Sequence, residues 1–560
     1  MTLKRPPECL TGDDALARGA WTEAQEAFER ALSVRELPEA LEGLGSAAWW
    51  LDLADLVFDS RERAYLLFLA RGDRTDAARV AIWLAWDYWA FRGESAVANG
   101  WMRRARRLLD GLPPCSERAW LEAREGSLCL FEEGDPVRAL ALAKEGIRIA
   151  QEVADIDLEM LSRAVQGLAL VASGAVSEGM SCLDEVSAAV IAGELTDRVV
   201  IGLAGCYLIA ACERVRDYDR AVQWCKRIKE FCAKWGLRPL FAVCRTQYAA
   251  ICMWRGTWIE AEKELCAASD ELAASRPAMK SDALVRLAEL RRRQGRLAEA
   301  AALIEQTPPH GHGLLGRGEL AFDCGDFPAA AERAEQYLRS VPTSNRTDRA
   351  AGLDLLVRAL IGLYDCEHAR AALLELSSIA ALVATNPLRA AASFASGYVA
   401  MGEAKWDAAR RCFEDAVDLY LRSGAPFEVA RARTELARVL GKVGRIDAAV
   451  EQAERAKILL SELKAELESA RAQSVLDELA SLQSTARSAV SSGEKSNDLT
   501  RREIEVLRLV AEGLNNQTIA ERLFVSDHTV HRHLANILNK LDVSTRAAAV
   551  AQAARRGLLV

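Results

Sequence analysis

Three of the six histidines in this 560-residue chain lie within six residues, at His528, His531 and His533, beside Arg532. Apolar residues recur at 3.6-residue spacing through the same segment, which predicts a helix with one buried face. These apolar residues are Val530, Leu534, Ile537, Leu538 and Leu541. The opposite face would present His528, His531, Arg532 and Ala535. A cationic donor, imidazoles that donate or accept, and a small residue that permits close approach suit the reading of base edges in a major groove. His533 flanks this face and could contact a phosphate.

Helix caps predict two short helices before this one. Thr500 and Glu503 have the spacing of a capping box, and the helix that they begin should end at Gly513. Asn515 is a good N-cap for the second helix, and Ser526 is a good N-cap for the helix that carries the histidines. Two short helices joined by so tight a turn constitute a helix-turn-helix.

Charge is distributed unevenly along the chain. Residues 499–560 contain nine Lys/Arg and six Asp/Glu, a net formal charge of +3, whereas residues 1–498 carry −11. This asymmetry indicates that the C-terminal segment contacts a polyanion and that the rest of the chain does not.

The same segment resembles the LuxR/GerE-type DNA-binding domain from end to end. The resemblance rests on the motifs L-T-x-R-E, A-E-G-x-x-N, I-A-x-x-L, S-x-x-T-V, H-x-x-N-I-x-x-K-L and a terminal G-L-L, all within residues 499–559. It implies that the helix beginning at Ser526 enters the major groove, and that His531, Arg532 and Ala535 contact bases. It also implies that the last helix, residues 545–556, pairs two subunits.

Phosphate contacts are implied near Asn516, Gln517, Thr529 and Lys540. Family members commonly have lysine where this chain has His531, so the DNA sequence that is read stays open, as does its dependence on pH. The full set of predicted DNA-binding residues is Asn516, Gln517, Thr518, Ser526, Thr529, His531, Arg532, His533, Ala535 and Lys540.

A different pattern recurs through the first 450 residues. It consists of a small residue, an apolar or aromatic residue two positions later and a second small residue, mostly Ala, five positions later. It starts at Gly19, Gly134, Gly174, Arg216, Gly256, Gly295, Gly325, Ala404 and Gly444, with weaker versions at Leu51, Gly93 and Tyr364. From Gly93 onward, eight of the nine spacings between starts lie between 39 and 42 residues.

A period of this length indicates a solenoid of helix pairs. The first small residue would turn the chain between two helices, and the second would let those helices pack closely. The sequence therefore predicts an all-α fold, an α-solenoid of about twelve helix pairs followed by a small four-helix domain with the helix-turn-helix. The repeats resemble tetratricopeptide repeats with a unit longer than the usual 34 residues, although a solenoid of another family stays open.

The end of the array is predicted from an amphipathic stretch at residues 446–482. Leu460, Leu463, Leu467 and Ala470 recur there at three- and four-residue spacing, which fits either a capping helix or a dimer-forming coil. A serine-rich segment follows. The predicted domains are a sensor or interaction array at residues 1–482, a flexible linker at 483–498 and the DNA-binding domain at 499–560.

Tryptophan is concentrated near the start of the chain. Eight of the thirteen tryptophans precede residue 121, and Trp83, Trp86 and Trp89 lie within seven residues. Two interpretations stay open, namely an aromatic-lined pocket for an effector or partner, and large residues of an inter-helix core.

The sequence offers no pattern typical of an enzyme. The fourteen cysteines include no C-x-x-C pair. The GEKS at Gly493 lacks the glycine, five residues earlier, of a phosphate-binding loop. No Ser/His/Asp, Cys/His or paired-carboxylate motif has a spacing that indicates a catalytic site. We therefore expect no catalytic residue, no metal and no cofactor. No uncharged run exceeds 14 residues, the length of the run from Val199 to Cys212, whereas a membrane span needs about 20. With no export signal at the start, these features predict a cytoplasmic, nucleoid-associated protein without a membrane partner.

Together these observations predict a sequence-specific transcriptional regulator that binds double-stranded promoter DNA as a homodimer. Its repeat array would receive a protein, peptide or small-molecule signal, because solenoids offer extended binding surfaces. The alternative is a repeat scaffold or adaptor with a tail that binds DNA non-specifically.

Overall fold

The computed structural model describes residues 7–235, 238–276, 279–308, 311–492, 499–523, 525–541 and 543–559. All regular structure in these ranges is helical, and the chain divides into two compact units between Leu476 and Asp477. The predicted fold class, a stack of about twelve helix pairs followed by a four-helix domain, is confirmed. No described helix is both long and apolar enough to cross a membrane.

The paired helices of the first unit are α1 Pro7–Arg18, α2 Trp21–Val34, α3 Pro38–Trp50, α4 Ala54–Arg71, α5 Arg74–Asp87, α6 Ser95–Leu109, α7 Ser116–Leu128, α8 Pro136–Glu152, α9 Ile156–Ser173, α10 Val176–Ala192, α11 Arg198–Val215, α12 Tyr218–Trp235, α13 Arg238–Arg255, α14 Trp258–Ser275, α15 Lys280–Arg293, α16 Leu297–Glu305, α17 His312–Asp323, α18 Phe327–Ser340, α19 Arg346–Gly362, α20 Cys366–Val383, α21 Asn386–Gly402, α22 Trp406–Arg422, α23 Pro426–Lys442 and α24 Ile446–Leu463. Short π-helical segments, Tyr88–Arg92 and Cys129–Glu133, extend α5 and α7.

Each odd-numbered helix packs against the next helix in the chain, from α1 on α2 to α23 on α24. The turn inside every one of these described pairs contains a residue with left-handed backbone, φ between +56° and +93°. Glycine occupies eight of the twelve turns, because only glycine adopts this conformation without a steric cost. The second pair departs from the predicted start: its left-handed residue is Asp52, one position after Leu51.

In every described pair except the second, the residue five positions after the left-handed residue is small and is buried where the two helices approach. Ala24 and Ala409 are fully covered, and Gly179 is buried. A Cβ atom built on Gly179 would lie 2.5 Å from the carbonyl oxygen of Gly167 on the facing helix. The repeat pattern thus marks the turn and the contact that follows it, as predicted.

Side chains also join pairs that are far apart in the sequence. Arg198 Nη1, at the start of α11, donates to the Leu16 carbonyl at 3.1 Å. Arg276 Nη2 donates to the Trp49 carbonyl at 3.1 Å, and its Nε donates to Asp52 at 3.1 Å. The array therefore winds back so that later pairs contact the first two.

The helix after the array differs from its prediction in two ways. α25, Glu466–Ser492, is separated from α24 by Lys464 in left-handed backbone, so the amphipathic stretch is two helices and not one continuous coil. The start of α25 packs on the array, where Arg471 Nη1 donates to Asp323 at 3.2 Å. The helix then continues through residues 483–492 of the predicted linker, because no Gly or Pro interrupts the chain there. Residues 493–498 lie outside the described residues.

The tryptophans near the start of the chain belong mainly to the core. Trp21, Trp49, Trp50 and Trp120 are each at most 9% exposed, whereas Trp83, Trp86 and Trp89 are half-buried. The uncharged run from Val199 to Cys212 forms most of α11 and lies largely in the core.

Candidate nucleic-acid interface

Four helices form the C-terminal domain around a core of its own. They are α26 Arg501–Ala511, α27 Asn516–Arg522, α28 Asp527–Leu541 and α29 Arg546–Arg555. The core comprises Leu499, Val506, Leu507, Val510, Ile519, Ala520, Val530, Leu534, Ile537, Leu541, Ala549 and Ala553. The apolar face predicted for α28 is therefore its buried face.

The predicted caps hold the helices at their predicted starts. Thr500 and Glu503 form a capping box, with Thr500 N–H donating to Glu503 Oε2 at 2.8 Å and Glu503 N–H donating to Thr500 Oγ1 at 3.3 Å. Asn515 Oδ1 accepts from Thr518 N–H at 2.9 Å. Ser526 Oγ accepts from Thr529 N–H at 3.2 Å, which fixes the first turn of α28. These caps define the short turn between α27 and α28.

The exposed face of α28 carries His531, Arg532 and Ala535. Because Leu534 and Ile537 anchor the other face, the helix cannot rotate to hide these three residues. The arrangement presents a guanidinium, an imidazole and a methyl group side by side, which suits contact with base edges. Ser526 is exposed, and Thr529 and His533 are half-buried at the margin. The side chain of His528 lies outside those that the structure describes.

Two asparagines on the same face do not belong to the predicted set of DNA-binding residues. Asn536 and Asn539 are exposed, four residues after Arg532 and Ala535 respectively. Residues four apart are neighbours on a helix surface, so both amides adjoin the predicted reading face. An asparagine amide pairs with the donor and acceptor edge of adenine. The helical spacing from Arg532 was the signal that could have identified them.

The predicted residues at the start of α27 are partly engaged within the domain. Asn516 Oδ1 accepts from Arg546 Nη1 at 2.9 Å, and the other terminal nitrogen of Arg546 donates to the Leu514 carbonyl at 2.9 Å. Thr518 Oγ1 donates to Asn515 Oδ1 at 3.0 Å. Gln517 is exposed. Arg546, which was not predicted, therefore positions Asn516.

Lys540 has a partner inside the domain. Its Nζ donates to Glu503 Oε2 at 2.7 Å, and the Glu503 side chain is only 4% exposed. Burial alone would raise the pKa of Glu503, but the hydrogen bonds from Lys540 and Thr500 outweigh burial and hold this pKa below its ordinary value. Lys540 thus joins the end of α28 to the cap of α26, and its predicted phosphate contact stays a prediction.

The described residues contain no group of three or more His, Cys, Asp or Glu placed to hold a metal ion. The chemistry that the domain surface offers is hydrogen bonding by exposed polar side chains and electrostatic attraction of phosphates.

Sequence comparisons with known proteins match this domain. Residues 497–553 match the family model described as bacterial regulatory proteins, luxR family. The chain is 51% identical over 61 residues to the transcriptional regulatory protein LiaR of Bacillus subtilis, a match that covers 11% of this chain and 29% of LiaR. It is 46% identical over 59 residues to the transcriptional regulatory protein DegU of Brevibacillus brevis, covering 10% of this chain and 25% of DegU.

The chain therefore spans less than a third of the length of these curated relatives, and the luxR-type assignment applies to the C-terminal domain. Among solved structures, the crystal structure of the APC/C hetero-tetramer Cut9-Hcn1 aligns with a TM-score of 0.47 at 15% identity. That alignment covers 85% of this chain and 96% of the other.

Proposed function

We propose that the protein is a transcriptional regulator that binds specific sequences in double-stranded promoter DNA through its luxR-type domain. The observation that carries the proposal is the exposed face of α28, where His531, Arg532 and Ala535 lie opposite a complete core. The regulators LiaR and DegU share this domain and support the assignment. Such a protein would act at the nucleoid, in the cytoplasm, and the proposal includes no enzymatic step.

The proposal gives the repeat array the role of receiving a signal, which would be a protein, a peptide or a small molecule. A stack of twelve helix pairs supports this role because solenoids offer extended binding surfaces. The array carries the negative charge of the chain, so it is poorly suited to hold DNA itself.

Genome-wide mapping of bound DNA tests the proposal directly. The unaltered chain should occupy a limited set of sites that share a sequence, and a chain lacking residues 499–560 should occupy none. Arg532→Ala should lose or redistribute these sites. Arg501→Ala is the matched control, since it removes an equal charge from an exposed position on α26. Uniform occupancy without a shared sequence would instead support a scaffold with a non-specific DNA-binding tail.

We further propose that the protein binds DNA as a homodimer, with residues 545–556 pairing two copies of the domain. Two reading helices would then address inverted half-sites about 34 to 36 Å apart, one helical turn of DNA. Footprinting should show two protected half-sites, and removal of one half-site should weaken binding. A single protected half-site with unchanged affinity would refute dimeric recognition.

A further inference from the structure

A cavity of about 270 Å³ opens between the first helix pairs and the start of α11. Its aromatic walls come from Trp21, Trp49, Trp50 and Trp83, and its charged groups are Arg61, Asp197 and Arg198. We propose that this cavity binds a small aromatic carboxylate, and that this molecule is the signal received by the repeat array. The second part of this inference rests on the function proposed above.

The walls are shaped for a flat ring. Trp21 and Trp50 stack with ring centroids 5.0 Å apart and planes at 18°. Trp49 meets Trp50 edge-on at 4.7 Å and Trp83 at 6.2 Å. Aromatic pairs favour stacked and edge-on arrangements of this kind, so a further aromatic ring can extend the cluster. The volume limits the occupant to a small molecule, because typical sites for drug-sized ligands begin at about 300 Å³.

A buried donor in the wall has no hydrogen-bond partner, and an occupant that brings an acceptor would satisfy it. Trp21 is 9% exposed, and its indole N–H has no hydrogen-bond partner among the described residues. Trp258 holds the same place in a later repeat, two residues after its glycine, and its indole N–H donates to the carbonyl of Met253 at 2.9 Å. The equivalent carbonyl for Trp21 belongs to Leu16, and it accepts from Arg198 instead. The hydrogen bond from Arg198 thus takes the Leu16 carbonyl that Trp21 would otherwise use as its acceptor.

Asp197 and Thr196, which line the cavity, form hydrogen bonds within the array. Asp197 accepts from the backbone N–H groups of Val199 and Val200 as the cap of α11. Thr196 Oγ1 donates to Asp157 at 2.7 Å. By contrast, Arg198 Nε is buried without a partner among the described residues. The unsatisfied lining groups on Trp21 and Arg198 are donors, and a carboxylate supplies acceptors only.

The charge behind the wall also favours an anion. Arg61 Nη1 pairs with Asp87 Oδ2 at 2.5 Å, and both side chains are at most 2% exposed. Arg124 is equally buried and lies 3.6 Å from the ring centre of Trp86, but it forms no ion pair with a described residue. Burial lowers the pKa of Arg124 more than the charges of Tyr207 and Asp87 raise it. Of these two arginines only Arg61 lines the cavity, so a bound carboxylate would attract Arg124 through the wall.

A cation would fit this cavity poorly although aromatic cages often bind cations. Guanidinium groups already cover two of the ring faces: Arg61 lies 4.6 Å from the centre of Trp83, and Arg276 lies 4.2 Å from the centre of Trp49. An additional cation could not bind over those two ring faces, and the arginines would repel it.

The test uses the full-length chain and four probes of similar size. Benzoate and indole-3-carboxylate represent the proposed class, while benzamide removes the charge and benzyltrimethylammonium reverses it. Calorimetric titration should show one molecule of carboxylate bound per chain, at least about tenfold more tightly than the amide, because hydrogen bonds to charged groups are the stronger ones. Bound carboxylate should also quench tryptophan fluorescence. Absence of carboxylate binding, or equal binding of the amide or the cation, would overturn the proposal.

Trp21→Phe is the decisive variant because it keeps an aromatic ring and removes the unpartnered N–H. Carboxylate affinity should fall by about tenfold or more. Trp258→Phe makes the same change where the N–H is already satisfied, so affinity should stay the same while the melting temperature falls. Unchanged affinity in Trp21→Phe would refute the site. If that variant does not fold, the comparison of probes on the unaltered chain decides.

Measurement of DNA binding separates this inference from the proposed function. If the protein binds specific DNA sequences and carboxylate changes that binding, both the cavity site and its role in signalling are supported. Specific DNA binding without carboxylate binding overturns the cavity site alone. Carboxylate binding that leaves DNA binding and transcription unchanged overturns the signal and keeps the site. Non-specific DNA binding overturns the proposed function, whatever the cavity binds.

Discussion

Single residues of α28 should affect DNA binding in distinguishable ways. His531→Ala and Arg532→Ala should each relax discrimination between specific and scrambled DNA by about 1 to 3 kcal/mol, since a good base contact has that magnitude. Both side chains are exposed, so the fold should be unchanged. Binding to both DNAs across a range of salt concentrations, with helix content measured, provides the check. Equal losses on the two DNAs would mean that another face of the helix enters the groove.

Lys540 should affect stability as well as DNA binding. Lys540→Gln leaves the buried Glu503 carboxylate without its cation, which should cost about 1 to 3 kcal/mol of domain stability. If Lys540 also contacts a phosphate, the slope of log affinity against log salt should fall by about one. Urea unfolding and salt titration measure the two effects separately. A stable domain with an altered slope would show that phosphate contact is the main role.

The same ion pair predicts how stability depends on pH. The pKa of Glu503 is lower in the folded domain than its ordinary value, so the unfolded chain binds this proton more tightly. The contribution is therefore complete above the ordinary carboxyl range, near pH 4 to 5, and is lost as the pH falls through the folded pKa. Urea midpoints of the unaltered domain should fall over that acidic window more steeply than those of Lys540→Gln. Parallel curves would contradict this account.

At the scale of elements, helix contacts inside each pair depend on a small residue. Gly179→Ala should destabilise the array by about 1 to 3 kcal/mol, because the new methyl group would overlap backbone atoms of the facing helix. Gly100→Ala is the matched control in α6, where an added Cβ meets nothing within 4 Å. That change should stabilise the array by about 0.5 to 1 kcal/mol through helix propensity. Thermal unfolding compares them, and equal effects would refute the packing argument.

At the scale of the whole molecule, the C-terminal domain should fold without the array. Its core is drawn entirely from residues 499–559, and its caps are local. A fragment of residues 495–560 should unfold cooperatively and bind DNA more weakly than the full chain, since one small module provides only part of the affinity. A longer fragment, residues 466–560, includes α25 and should show the same cooperative unfolding and the same DNA affinity as the shorter one. A short fragment that is unfolded beside a folded longer one would move the domain boundary into α25.

The sequence by itself determined the features whose causes are local. Turn residues, caps and the apolar face of α28 follow from the backbone preference, hydrogen bonding and burial of neighbouring residues, and the repeat spacing reports how many pairs the array contains. The serine-rich segment after residue 482 was weaker evidence, because its composition suits both a linker and the helix that the structure shows for residues 483–492.

Only the tertiary structure decided the contacts between residues distant in the chain. Arg198 reaches the Leu16 carbonyl across 182 residues, and Lys540 reaches Glu503 across 37. The first contact depends on small rotations that accumulate over many helix pairs, and no local pattern encodes their sum. Trp21 and Trp258 hold the same place in the repeat, yet only the indole N–H of Trp258 has a partner. The difference follows from the contact of Arg198 with the Leu16 carbonyl. The sequence therefore predicts the repeat, whereas the winding of the array makes the cavity.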